Sequence, residues 1–508
     1  MLKKLIGIVA YVLFLGNINA QTFNENYGVF QIGWADVARN VEFVNDSIYI
    51  FYADQHPEGG IRPCVSNISL SGELLWHECL GIPITNRGST GNNSIDLSTN
   101  GTQYAAAYGF QTINSETEED LFLGELMVYD QNFDTLYTRL VGDSIDFYIL
   151  SQARFTQDGG IICSGWTHTT APEGPLNNLL IKFNAEGEEE WQTTNSTFGS
   201  SWDQAYSVVE TDSGDFIVGS FTSTNWGEPN RPVLTKFDSE GNFVDKVVFG
   251  NTEYFEGWAN INPLSDGNFI FCSAQQDFDE ESNYRVVKFD ENLDTIWDKS
   301  FYFYSIEVAL LQIKETSDGS LIACGTWEDQ ITTHDFGVLL KLDSSGELLW
   351  HRLYQHSTEG FFQLNRLYDV VEIPENQGYV ACGERNGGEL GQNYWVLKVD
   401  SMGCLVEGCD TITSVTELRA LDQLEIGISP NPASELLNVF IPELPAKFRG
   451  NELTLLLRNL EGKEVEKTPI SLGNTTYMLD VRNYPRGTYL LSLVFGNREL
   501  TSQKIVLK

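Results

Sequence analysis

FGVLLKLDSSGELLWH, residues 336–351, reads as a strand, a tight turn and a second strand. Val338, Leu340 and Leu342 alternate with Leu339 and Lys341, the period of two of a β-strand. Asp343-Ser344-Ser345-Gly346 is the turn: its Asp can bond its own backbone two residues on, and its Gly tolerates positive φ. Glu347 to Trp350 then opens the next strand. Copies of this unit recur with the turn residue at Ser69, Asp130, Asn184, Asp238, Asp290, Asp343 and Asp400, spaced 61, 54, 54, 52, 53 and 57 residues apart. Seven units of near-constant length are a repeat architecture.

Each repeat has one grammar. An apolar strand such as 206–210 leads to a DGG, SGD, DGN or DGS turn, at Asp158, Ser213, Asp266 and Asp318. A second strand, a loop of variable length, the Lys-containing strand, the D-x-x-G turn and a strand usually carrying Trp (Trp76, Trp191, Trp297, Trp350) follow. Four short strands per repeat, arranged radially, predict an all-β, seven-bladed β-propeller. A solenoid is the competing architecture, but its turns are usually shorter. The last repeat breaks off near Cys404, and the stretch from Phe23 to Gly28 resembles the one before other first strands, so the N-terminal segment is expected to complete the final blade or pack beside it. In such blades the first and third turns share one rim. The variable connections (53–63, 110–120, 166–178, 221–232, 274–283, 326–335 and 384–393) collect on the other, which marks the expected binding surface.

The chain has 508 residues and a formal charge of −40, without a cluster of Lys and Arg, which argues against nucleic acid as a partner. Residues 1–20 read as a secretory signal, with Lys3 and Lys4, an apolar run too short to span a bilayer, and Ile18-Asn19-Ala20 as the cleavage site. In an exported chain disulfides are permitted. Cys404 with Cys409 is one local pair and Cys64 with Cys79 a second. Cys163, Cys272, Cys324 and Cys382 fall in small-residue strands and read as buried core thiols.

Near residue 405 the composition changes. From Gly427 on there is no Trp or Cys, and residues 426–508 hold 10 basic and 8 acidic side chains against 21 and 63 before them. The expected organisation is a signal at 1–20, the propeller at 21–405, a linker at 406–425 and a small Ig-like β-sandwich at 426–508. ISPNPASELLNV from Ile428, LEGKEV from Leu460, LDVRNYPRGTYLLSL from Leu479 and the final KIVLK resemble the C-terminal sorting domain of the type IX secretion system of Bacteroidetes. Pro430, Asn431, Pro432, Asp480, Gly487, Tyr489 and Lys504 carry the match. The resemblance implies passage through the inner membrane by the signal, then across the outer membrane through the secretion machinery as partner. It also implies a tail that is removed or exchanged for a surface anchor, and hence a secreted or cell-surface protein. KVDSMGCLVEGC, residues 398–409, is similar to the exit of repeat-containing secreted propellers of the same bacteria.

Chemistry is sparse. No G-x-S-x-G, H-E-x-x-H, P-loop or C-x-x-C motif occurs, and neither a cofactor nor a metal is expected. Lys182, Lys236, Lys288, Lys341 and Lys398 share one repeat position and read as stems packed on strands with heads at a local acid, rather than as an anion-binding ring. Asp130-Gln-Asn-Phe-Asp134 and Asp290-Glu-Asn-Leu-Asp294 have part of a calcium-loop spacing but lack its Gly and Glu, so they read as turns. His77 and His351 are repeat-equivalent and read as structural. On the variable rim Trp166, His168, Trp226, Glu228, Arg231, Trp327, Glu328 and Arg385 suit recognition of a glycan or protein. The function expected is a binding or scaffolding module; the alternative is a secreted polysaccharide or peptide hydrolase on the same fold.

Overall fold

In the computed structural model the chain separates into two compact units, 1–410 and 411–508. It describes residues 22–405 and 426–508, less 28–35, 45, 56–60, 81–87, 90–95, 114–119, 143–146, 169–174, 200, 225–227, 251–254, 258, 277–281, 304, 306–307, 330–333, 356–362, 388–391, 442–452, 460–462, 471–475 and 496–497. The described secondary structure is all β.

Among the described residues the first unit holds seven antiparallel sheets of four strand positions. The sixth shows how the repeat folds: Val308–Glu315, Leu321–Glu328, Asp335–Leu342 and Leu348–Tyr354 pair in chain order. Its turn closes as the sequence dictates. Asp343 Oδ1 accepts the amides of Ser345 and Glu347, both at 2.9 Å, and the Gly346 amide donates to the Asp343 carbonyl. Gly346 sits at φ 81°, the left-handed region. In the D-x-N-x-D copies the same place is taken by Phe133 and Leu293 at φ 64° and 67°. There the carboxylates of Asp130 and Asp290 are occupied by the amides of their own turns.

Alternation along the third strand decides what each face meets. Val338, Leu340 and Leu342 join the apolar cluster shared with the fifth sheet, while Leu339 joins the cluster shared with the seventh. Seven such clusters fill the seams between consecutive sheets, the seventh and first included. The sheets therefore close into a ring. Closure is completed by Phe23–Tyr27, which pairs antiparallel with Gln392–Val399 (Phe23 opposite Lys398, Tyr27 opposite Tyr394) as the outer strand of the last sheet. This is the outcome expected of the N-terminal segment.

Innermost strands carry a recurring bulge, between Ala38 and Asn40, Leu150 and Gln152, Ala205 and Ser207, Leu310 and Gln312, and Leu367 and Asp369. Cys64 and Cys79 are opposed on neighbouring strands and disulfide-bonded. Cys163, Cys272, Cys324 and Cys382 are buried free thiols, as the core reading requires.

The second unit is a two-sheet sandwich. Gly427–Ser429, Leu436–Phe440 and Thr476–Asp480 form one sheet; Leu453–Asn459, Glu464–Pro469, Gly487–Phe495 and Arg498–Leu507 form the other. Leu437, Val439, Leu455, Leu457, Leu491 and Ile505 are buried between them.

Candidate functional site

The residue after each bulge is polar, and it ties one inner strand to the next. Gln152 Oε1 accepts the Val208 amide at 2.7 Å, and Ser207 Oγ accepts the Ile261 amide at 3.0 Å. Asp369 Oδ2 accepts the Val41 amide and Asn40 Nδ2, each at 3.0 Å, across the closing seam. Asn260 Nδ2 donates to the Leu311 carbonyl at 2.6 Å. After the bulges at Asn40 and Ser207 the amides of Val41 and Val208 are satisfied by a side chain of the neighbouring sheet, whereas those of Ile313 and Val370 are taken by Gln312 and Asp369 of their own strands. Lys314 Nζ lies 2.7 Å from Asp369 Oδ1 in this inner ring. Burial opposes its charge, but Asp369 and Glu42 outweigh burial and hold the ammonium above its ordinary value. The thiols of Cys324 and Cys382 are pushed well up, first by burial and then by Asp369, so they are not thiolates at neutral pH.

The rim residues separate into two groups. Trp166, His168 and Trp327 lie on strands, not in loops, and are buried. Trp166 packs on Tyr206 at 5.4 Å, and His168 on Phe147 and Trp202. Trp327 donates its indole N–H to the Phe303 carbonyl at 2.8 Å. In place of an exposed aromatic face they form the apolar lining of seams, because the adjoining sheet covers the ends of the second strands. Glu228 is exposed, and Arg231, Glu328 and Arg385 are half-buried. Burial lowers the Arg385 pKa. Trp226 lies outside the described residues, as does Cys409; Cys404 is buried.

Four of the repeated lysines meet the first turn of their own sheet. Lys182 reaches Asp158 at 2.9 Å, Lys236 Asp215 at 3.1 Å, Lys288 Asp266 at 2.5 Å and Lys341 Asp318 at 3.8 Å. These ammoniums close blades and form no ring.

Sequence reading passed over Tyr368 and Glu384. Tyr368 Oη donates to Glu384 Oε1 at 2.5 Å, with the Arg39 guanidinium 4.0 Å above its ring. Burial and Glu384 outweigh Arg39 and push the phenol up to about 12, so it stays protonated and works as a donor. Among the described residues no three of His, Cys, Asp and Glu are grouped to hold a metal ion.

In the sandwich, Asn431, Gly487 and Tyr489 meet the final strand, whereas Asp480 lies in the other sheet. Asn431 Nδ2 donates to the Lys504 carbonyl at 3.1 Å, and its Oδ1 accepts the Val506 amide at 2.9 Å. The Ala433 amide donates to the Val506 carbonyl and the Lys508 amide to Ala433, both at 2.8 Å. Pro430 and Pro432 follow cis peptide bonds on either side of Asn431. Asp480 grips Arg482 and is held down to about 2 by it, Tyr489 donates to the Pro485 carbonyl, and Gly487 faces Leu507.

Residues 427–508 match the family of secretion system C-terminal sorting domains. No curated protein sequence matches the chain. Among solved structures, the chain is similar to an ulvan lyase, a polysaccharide lyase, at 11% identity over 73% of this chain and 96% of that one, with a TM-score of 0.49. It is also similar to the β-propeller domain of the Trilobed protease from Pyrococcus furiosus (10% identity, 76% and 98%, TM-score 0.40). A third is the acylaminoacyl peptidase of Pyrococcus horikoshii (11%, 81% and 60%, TM-score 0.40). No activity follows from likeness at that level. The chain is a β-propeller protein that carries the C-terminal sorting domain of the type IX secretion system.

Proposed function

We propose that the protein is a secreted or cell-surface binding module whose propeller offers its ligand face on the rim opposite the short turns. The secretion tail implies export and engagement of the type IX machinery. A signal at 1–20, a propeller over 21–405, a linker at 406–425 and the sorting domain over 426–508 make up the proposed organisation, with anchoring at the outer membrane as one fate of the tail. One observation carries the binding reading. The short turns at 156–160, 211–215 and 343–347 close with stereotyped hydrogen bonds, whereas the opposite rim presents Glu228, Arg231 and Arg385 at least partly to solvent. Insertions gathered on one rim of a repeat ring are the usual seat of recognition.

The test is a glycan array probed with the mature protein. Binding should fall for Arg231→Ala or Arg385→Ala and be unchanged for Asp238→Ala on the turn rim. Equal loss from both rims, or no binding to any glycan or surface protein, would count against the reading.

A further inference from the structure

Phe198 and Phe249 occupy one place in two successive seams. Each precedes a glycine of positive φ, Gly199 at 82° and Gly250 at 73°, in the connection from an outer strand to the next inner strand. At the second of these seams the chemistry is closed. Phe249 is buried under the Arg285 guanidinium at 5.5 Å, and that guanidinium is bound at 2.7 Å to each of Glu256 and Asp298.

At the first seam the same place is open. Phe198 is 50% exposed, with Arg231 5.2 Å and Lys246 5.6 Å from its ring centre. Neither cation makes an ion pair among the described residues, although Arg231 is near enough to Glu256, whose pKa burial raises, to oppose that rise in part. Lys246 donates to the Thr197 carbonyl, which leaves further N–H donors on its ammonium. The loop is held ready. The buried carboxylate of Asp203 accepts the Thr197 amide at 2.8 Å and Ser201 Oγ at 2.7 Å, and Ser201 Oγ accepts the Phe198 amide at 3.0 Å. Phe198 thus stands half-exposed beside two cations, where its counterpart Phe249 is buried under one guanidinium that two carboxylates already hold.

We infer that Phe198, Arg231 and Lys246 form a subsite for a pyranose bearing a carboxylate or sulfate, its anion held by the two cations and its apolar edge against the solvent-facing part of Phe198. Arg and Lys supply charge-assisted hydrogen bonds to such an anion. Two cations fit one anionic sugar, whereas a nucleic-acid backbone needs a run of them. On a chain of net charge −40 the site works locally, against the field of the whole molecule.

The inference rests on the binding role proposed for the rim, and its test is arranged to tell the two apart. Calorimetric titration of the full secreted chain would use oligogalacturonate for the carboxylate, sulfated dextran oligomers for the sulfate, neutral galacto-oligosaccharide and poly-glutamate. Binding of at least one acidic sugar, but not the neutral one, is expected. Phe198→Ala and Lys246→Glu should each weaken it about tenfold, the loss of one good interface contact. Both positions reach solvent, and an unchanged melting curve would show that each variant folds. The inference is overturned if no acidic sugar binds the native chain, if the variants bind within about twofold of it, or if poly-glutamate binds equally well and ignores the loss of Phe198. Binding of another glycan that these variants leave intact would sink the subsite and keep the rim as a binding face.

Discussion

Gly346 lies against the face of Trp297, so that a Cβ on the glycine would come within 2.9 Å of the indole ring. The glycine belongs to the sixth sheet and the tryptophan to the outer strand of the fifth. Gly403 meets Trp350 in the same way, one seam further on. Two features that recur in the sequence, the Gly of the turn and the Trp that follows it, are thus halves of one contact between neighbours.

Gly346→Ala should cost about 2–4 kcal/mol, from the left-handed backbone and the forced displacement of the ring. Trp297→Ala on the same background should recover the steric share and leave the backbone share. A urea-denaturation cycle measures the two; additive effects would show that the residues do not interact.

The period of two and the turn chemistry were legible because each is local. Lys341 and its copies were legible as stems on strands. The polar ring of Asn40, Gln152, Ser207, Gln312 and Asp369 was not, although it recurs about every 55 residues. In sequence each is one polar residue among several in its strand, and the bulge before it shifts the register by one. Trp166 and Trp327 were misplaced for a related reason. Composition says that an aromatic ends a strand but not that the adjoining sheet covers it.

Ring closure makes Phe23 matter more than its place near the start suggests. It is buried between the first and last sheets, and its ring lies against Gly72. Phe23→Ala should destabilise the propeller by about 3–5 kcal/mol. Hydrogen exchange should rise first in Gln392–Val399, the strand it caps; uniform change across all sheets would contradict closure at this seam.

Asp369 serves the Val41 amide, Asn40 and Lys314 at once. Asp369→Ala leaves a largely enclosed ammonium and a buried amide unpaired, a loss of about 3–5 kcal/mol. Adding Lys314→Met should return part of it. Chemical denaturation of the two variants decides, since an equal loss in both would mean that the ion pair is not the cause.

His351 is buried against Phe303 with ring centres 3.8 Å apart, and burial, aided by Arg352, depresses its pKa to about 3. The unfolded chain takes up its proton near the ordinary 6.5, so between about 6.5 and 3 the unfolded state binds more protons and stability falls as pH falls. The slope from this group approaches about 1.4 kcal/mol per pH unit. His351→Leu should flatten the denaturation midpoint between pH 6 and 4; an unaltered pH dependence would show that the imidazole is not held neutral.

Asn431 pins the final strand from both directions, accepting from Val506 and donating to Lys504. Both bonds are solvent-exposed, so Asn431→Ala should lower the stability of the sandwich by no more than about 1 kcal/mol. A machinery that reads the terminal strand binds it more weakly when that strand must be ordered at the moment of binding. Asn431→Ala should therefore reduce release to the medium and leave protein retained with the cell at nearly native stability. Asn431→Asp keeps the acceptor for Val506 and loses the donor to Lys504, so it should fall between. Deletion of 426–508 sets the floor for both. Native export of Asn431→Ala beside a failed deletion would show that the sandwich is recognised elsewhere than at its terminal strand.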